Sequence, residues 1–131
     1  MIGRWIVLLL FVFLGATLFL TALCGRKYAA TRDARHCESH MMCATGAFIL
    51  MIAAIVSVEL TKLAQGSIGH GAVLAVHLLF AIPFFLLFLL VFFLLTGIRA
   101  PRYHRMLVYP CLALFAAAFI IGAIMLLGVA P

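Results

Sequence analysis

The chain has 131 residues, of which 69% are hydrophobic and only 9% are charged, with a formal net charge of +6 at pH 7. Soluble domains contain roughly 45–50% apolar and about 25% charged residues, so this composition excludes an ordinary soluble protein. The basic residues are not interleaved with stacking aromatic residues on a polar surface, which argues against nucleic-acid binding. The composition indicates an integral membrane protein.

Four apolar stretches are long enough to cross a bilayer as helices. Crossing a hydrocarbon core about 30 Å thick takes about 20 residues at about 1.5 Å per residue. In lipid the backbone must satisfy its own hydrogen bonds, and these stretches are too long for barrel strands. The sequence therefore predicts an all-α membrane four-helix bundle with short loops, in one transmembrane domain over residues 1–131. The predicted helices cover residues 5–24, 41–63, 71–97 and 106–129.

The first of these stretches is interpreted as a membrane helix that is retained in the protein. Its length is about 20 residues, whereas the hydrophobic region of a secretory signal has about 7–15. Leu23 is also bulky at the position before Cys24, where a lipidation site would have a small residue.

The basic residues are distributed unevenly between the two sides of the membrane. Only Arg4 and Lys62 lie at one side, whereas the loops after helices 1 and 3 hold the other seven. These seven are Arg26, Lys27, Arg32, Arg35, Arg99, Arg102 and Arg105. Basic residues favour cytoplasmic loops, so we expect both loops in the cytoplasm and both termini outside.

Histidine and cysteine residues gather at the cytoplasmic ends of helices 2 and 4. If helix 2 extends back into the loop, His36, His40 and Cys43 share one face at i, i+4 and i+7. His104 lies at a depth similar to that of His40, and Cys111 is two turns further in. Two imidazoles from facing helices can bind haem iron axially, or can bind Cu(I) or zinc together with thiolates. His40 and His104 are therefore the main candidate ligands, and His36, Cys43 and Cys111 are weaker ones.

These side chains also have a structural interpretation, which stays open at this point. Histidines at helix ends can bond terminal carbonyls or lipid head groups. The cysteines show neither Cys-x-x-Cys nor Cys-x-x-Cys-His spacing, and buried cysteines often act as small hydrophobic residues.

A second polar group lies near the outer face. Glu59 and Lys62 are at i and i+3 and can form an ion pair within helix 2. His77 is about two turns into helix 3, on the same face as His70. Because a carboxylate and an imidazole at equal depth can pair, bind an ion or relay a proton, we predict a site of His77 and Glu59, with His70 as a weaker member. The alternative is that Lys62 simply neutralises Glu59.

Two further patterns predict how the helices pack. Phe80, Phe84 and Phe88 form a stripe near the His77 face, interpreted as core or lipid contact, with a porphyrin-flanking role as the alternative. Small residues such as Ala47 on helix 2 and Gly122 on helix 4 allow helices to approach closely.

Three short motifs resemble a known family. They are His40-Met41-Met42, a histidine early in helix 3 followed by proline (His77 and Pro83), and His104-Arg105 followed by Tyr109-Pro110. In order and spacing they resemble the small four-helix membrane proteins that include the cytochrome oxidase maturation factor CtaM (YozB), over residues 38–129. The family pattern has a further histidine at the end of helix 2. This sequence has no histidine there, and Glu59 is the candidate substitute.

The resemblance implies a role in the bacterial inner membrane near the haem–copper oxidases. On that basis the expected function is an accessory protein that binds haem b, a related haem or copper and assists assembly of a respiratory oxidase. One alternative is a b-type haem electron-transfer protein with bis-histidine ligation, and another is a cofactor-free structural subunit of a membrane complex. The expected partners are the bilayer, a haem–copper oxidase or other respiratory complex, and further copies of the chain. The sequence offers no site that combines a nucleophile, a base and room for a soluble substrate, so an enzyme is not expected.

The predicted topology can be tested directly. The C-terminus is expected outside the cytoplasm, because the basic loops favour the cytoplasm. A reporter domain that is active only outside the cytoplasm should therefore be active when it is fused after Pro131. A fusion in the loop between helices 1 and 2 provides the control and should report the opposite side. A cytoplasmic C-terminus would reverse the orientation and exchange the faces assigned to the two polar groups.

Overall fold

The computed structural model of the protein describes residues 2–65, 71–94 and 101–127. In these ranges the chain is helical except at Arg32 and Asp33, and it contains no strand. The helices are α1 (Ile2–Thr31), α2 (Ala34–Gln65), α3 (Gly71–Leu89) and α4 (Pro101–Leu127). A π-helical segment, Leu90–Leu94, follows α3 directly.

All four helices are long and apolar enough to cross a membrane. The predicted fold class, an all-α multi-pass membrane protein, is therefore confirmed. Helix packing divides the chain into two compact units, Met1–Ser67 and Ile68–Pro131, and each is described by itself.

The helices extend beyond the predicted boundaries. Helix α1 continues to Thr31 instead of residue 24, α2 begins at Ala34 instead of residue 41, and α4 begins at Pro101 instead of residue 106. Hydropathy marks only the part of a helix that matches the hydrocarbon core, whereas backbone hydrogen bonding continues past it. The predicted ends of helices 3 and 4, at residues 97 and 129, lie outside the described residues.

Two residues, Arg32 and Asp33, join α1 to α2. Arg32 has a positive φ of 56° and its N–H donates to the Tyr28 carbonyl at 2.8 Å. This is the left-handed conformation that commonly ends a helix. The carboxylate of Asp33 then accepts the Arg35 N–H at 2.9 Å, which caps the start of α2. The chain therefore reverses within two residues and brings α2 back along α1.

In the first unit, α1 and α2 pack along one line of buried side chains. Along each helix, successive buried side chains are three, four or seven residues apart. This is the spacing of the contact line between two packed helices. We call these side chains the α1–α2 seam: Val7, Leu14, Leu18, Ala47, Met51, Ala54 and Thr61. The prediction that Ala47 allows close approach is confirmed, since its side chain is fully buried.

In the second unit, phenylalanine rings fill the interface between α3 and α4. We call its buried side chains the α3–α4 seam: Phe84, Phe88, Cys111, Phe115, Ala118 and Leu126. Phe84 lies 5.3 Å from Phe115 and 5.9 Å from Phe88 between ring centroids, within the range of favourable aromatic pairs. The core-packing interpretation is therefore confirmed for Phe84 and Phe88, whereas Phe80 is only half-buried.

Candidate functional site: two histidines bonded to helix carbonyls

His40 is held against α1 by a hydrogen bond to the backbone. Its Nδ1 lies 2.8 Å from the Thr21 carbonyl oxygen. Because a carbonyl oxygen can only accept, the ring nitrogen donates. The ring is half-buried on α2, seven residues before Ala47, and so extends the line of the α1–α2 seam toward the connecting turn.

Gly25 provides the space for this ring. A Cβ atom at Gly25 would lie 3.1 Å from both Cε1 and Nδ1 of His40, closer than an ordinary van der Waals contact. Within α1, Gly25 is four residues after Thr21, so its own N–H is the usual helical partner of the same carbonyl. The missing side chain leaves the second lone pair of that oxygen accessible to the imidazole.

His77 has the same arrangement in the second unit. Its Nδ1 donates to the Ala118 carbonyl on α4 at 3.0 Å. A Cβ atom at Gly122, four residues after Ala118, would lie 3.0 Å from Cε1 and 3.3 Å from Nδ1 of the ring. Each unit thus contains a histidine, a carbonyl on the facing helix, and a glycine one turn beyond that carbonyl.

The two histidines occupy equivalent places in their helices. His40 is the seventh residue of α2, and His77 is the seventh residue of α3. His77 also precedes the buried Phe84 by seven residues, so it continues the α3–α4 seam as His40 continues the other one.

The hydrogen bonds define which ring nitrogen carries the proton. A neutral imidazole has one N–H and one lone pair, and donation from Nδ1 leaves the lone pair on Nε2. Histidines that bind metals in proteins usually donate their other ring N–H to a carbonyl or a carboxylate, which fixes the ring orientation. In the neutral form of His40 and of His77, donation through Nδ1 to a carbonyl therefore places the lone pair on Nε2.

Two cysteines lie close in sequence to the residues of this arrangement. Cys24 precedes Gly25 on α1, and Cys43 lies three residues after His40 on α2. All four cysteines of the chain are free, and Cys111 is buried in the α3–α4 seam. The interpretation of Cys111 as a small hydrophobic residue agrees with this position.

The residues predicted to form the cytoplasmic site are arranged only partly as expected. Helix α2 does extend back past His36, which places His36, His40 and Cys43 on one helical face. His104 is half-buried near the start of α4. No group of three or more His, Cys, Asp or Glu side chains with metal-binding geometry occurs in residues 2–65, 71–94 and 101–127. His40 and His104 belong to different units, so their pairing stays a prediction.

The ion pair predicted near the outer face is present. Lys62 Nζ donates to Glu59 Oε1 at 2.7 Å, with the Glu59 side chain 60% exposed. An exposed pair of this kind contributes about 0–1 kcal/mol to stability. The Nδ1 of His77 is engaged with Ala118, so a bond from His77 to Glu59 would have to use Nε2. The Glu59–His77 pairing joins different units and stays a prediction, and His70 lies outside the described residues.

The backbone partners of the histidines were not identified from the sequence. A carbonyl acceptor has no side-chain signature of its own. The one available signal was a glycine on the facing helix, since Gly25 and Gly122 are small at the positions where a ring must approach the backbone. Gly122 was predicted to permit close helix approach, but not to accommodate a histidine.

Comparisons of the chain with protein-family models, with curated proteins and with solved structures found no match. The histidine arrangement and the fold therefore carry the functional argument.

Replacing either site glycine with alanine should weaken the packing of the histidine on the facing helix. Gly25→Ala and Gly122→Ala should each lower the free energy of unfolding by about 1–2 kcal/mol, because the new methyl group overpacks the ring and strains its hydrogen bond. Gly46→Ala is the matched control, since its Cβ would meet Thr17 at an ordinary 3.7 Å. It should be neutral or stabilising by about 0.5–1 kcal/mol. Thermal unfolding in detergent measures all three. Equal stability of Gly25→Ala and Gly46→Ala would show that the ring does not require the glycine.

Proposed function

We propose that this chain is an accessory membrane protein that binds haem or a metal ion through intramembrane histidines. Its primary ligands are His40, through Nε2, and His104, which share the cytoplasmic site. The resemblance to the CtaM-containing family extends the proposal to assembly of a haem–copper respiratory oxidase in the bacterial inner membrane.

The observation that carries the proposal is the hydrogen bond from Nδ1 of His40 to the Thr21 carbonyl. Coordination requires a lone pair on the ligating nitrogen, and a neutral ring that donates through Nδ1 to a fixed carbonyl has that lone pair on Nε2. The bond also fixes the ring plane, which lowers the entropy lost when a cofactor binds.

The cost of placing histidines in the membrane gives further support. Ionisable residues within membrane spans are rare and usually functional, since an unpaired polar group in hydrocarbon is unfavourable. Leucine at these positions would pack two apolar helices without needing a carbonyl partner or a glycine. The sequence nevertheless has histidine at the same place in two helices.

The second candidate function is electron transfer by b-type haem. The observation that favours it is the repetition of one histidine arrangement in the two units. In the proposed topology consecutive spans alternate in direction, so α2 and α3 begin at opposite faces of the membrane. One haem ligand near each face would suit electron transfer across the bilayer.

Substitution of the histidines in the purified protein distinguishes these proposals. The visible absorption spectrum and elemental analysis identify the bound group, since haem gives reducible Soret and α bands. If His40 and His104 share one cofactor, His40→Ala or His104→Ala should each remove most of it. The double variant should then add little, because ligands to one ion are not additive.

Neighbouring substitutions provide the controls. Ser39→Ala and Tyr103→Phe change exposed residues adjacent to the two histidines and should retain full occupancy. Additive losses from His40→Ala and His104→Ala would contradict the shared site. A separate, spectrally distinct loss in His77→Ala would favour the two-haem electron-transfer function. Wild-type protein without haem or metal would refute both proposals and favour the structural subunit.

A further inference from the structure

The hairpin that joins α1 to α2 carries a concentration of positive charge that the histidine proposal does not use. We call residues 26–38 the α1–α2 tip. Its basic side chains are all exposed, and they are Arg26, Lys27, Arg32 and Arg35. The same segment contains two acidic residues, Asp33 and Glu38, so an excess of positive charge remains. Because the connection is only two residues long, both helices contribute to one charged surface.

The protein does not neutralise these basic side chains itself. Within the described part of the chain none of the four forms an ion pair. Lys62, toward the other end of α2, instead pairs with Glu59 at 2.7 Å. The Asp33 carboxylate accepts the Arg35 backbone N–H at 2.9 Å and so serves as a helix cap. The charge of the tip is therefore available to an external anion.

The lengths of the helices place the tip at the membrane surface. Residues 5–25 of α1 and 39–58 of α2 contain no Asp, Glu, Lys or Arg. At about 1.5 Å per residue each of these segments is about 30 Å long, which is the thickness of the hydrocarbon core. Helix α1 continues for about 9 Å beyond its charge-free segment, and a headgroup layer is about 5–8 Å deep. Long basic side chains of the tip therefore lie within reach of lipid phosphates.

Arg32 has an uncommon backbone conformation for an arginine. Its φ is 56°, in the left-handed region where the Cβ atom of an L residue lies too close to the following carbonyl oxygen. Glycine avoids that contact and is the common residue at this position after a helix. The Arg32 side chain is exposed, so no buried packing offsets the unfavourable backbone. Positive charge is the property that glycine would not supply, and strained residues of this kind cluster at ligand-binding sites.

We propose that the α1–α2 tip binds the headgroups of anionic phospholipids in the surrounding bilayer. A guanidinium group donates two parallel hydrogen bonds to a phosphate, and the lysine ammonium adds a point charge. The phosphate of a zwitterionic lipid is already balanced by its own ammonium group, so the tip should discriminate against it. The binding is the same whichever side of the membrane the tip faces, and it involves neither the histidines nor their cofactor.

Native mass spectrometry of the delipidated full-length chain in a nonionic detergent, titrated with phosphatidylglycerol or phosphatidylcholine, tests the site. The wild-type protein should bind phosphatidylglycerol at least about tenfold more tightly than phosphatidylcholine, because opposite charges attract only the anionic lipid. Arg26→Gln, Lys27→Gln and Arg35→Gln should each weaken phosphatidylglycerol binding about fivefold, the contribution of one basic residue near an anionic surface. Equal wild-type affinity for the two lipids would overturn the proposal.

Two further variants separate the tip from net charge and from folding. Lys62→Gln also removes one positive charge, but one that Glu59 already pairs, so it should bind phosphatidylglycerol as the wild type does. Losses as large as that of Arg26→Gln would show that net charge governs binding, and would contradict the site. Arg32→Gly should weaken phosphatidylglycerol binding about fivefold without lowering the melting temperature, because glycine favours the left-handed conformation. Wild-type affinity in Arg32→Gly would also contradict it.

Discussion

The hydrogen bond from a histidine Nδ1 to a helix carbonyl is the interaction on which the rest of the structure depends. An imidazole N–H in an apolar interface must find an acceptor, since leaving a polar group unpaired in hydrocarbon costs several kcal/mol. Helix carbonyls are already bonded along the chain, but each oxygen has a second lone pair. A ring from a facing helix reaches that lone pair most easily where the next turn lacks a side chain. Gly25 and Gly122 provide such positions.

Several properties follow from this single constraint. The bond from His40 to Thr21 fixes the longitudinal register of α1 and α2, which an apolar seam by itself specifies weakly. The same bond places a ring proton on Nδ1, so that in the neutral ring the lone pair is on Nε2. One side-chain position therefore determines both the packing of the helices and the position of the ring's lone pair.

The fold could be predicted because hydropathy and length constrain a membrane helix strongly. The ends of the helices could not be predicted in this way. The Glu59–Lys62 pair was also predictable, because i and i+3 positions meet on any helix. The partners of His40 and His77 were not, since they are backbone atoms on another helix. Identifying them requires the rotation of each helix about its axis, and helices that are apolar on nearly all sides give little indication of which face is inward. The pairing of side chains from different units depends on the same information.

The tautomers of His40 and His77 test this account most directly. Nitrogen-15 NMR of ring-labelled protein in a membrane mimetic at pH 7, assigned with His40→Gln and His77→Gln variants, reports which nitrogen carries the proton. The account predicts that Nδ1 of both rings carries a proton that is hydrogen-bonded to a carbonyl, while the half-exposed His36 serves as an internal reference. A ring at either position whose proton is on Nε2 alone would contradict it.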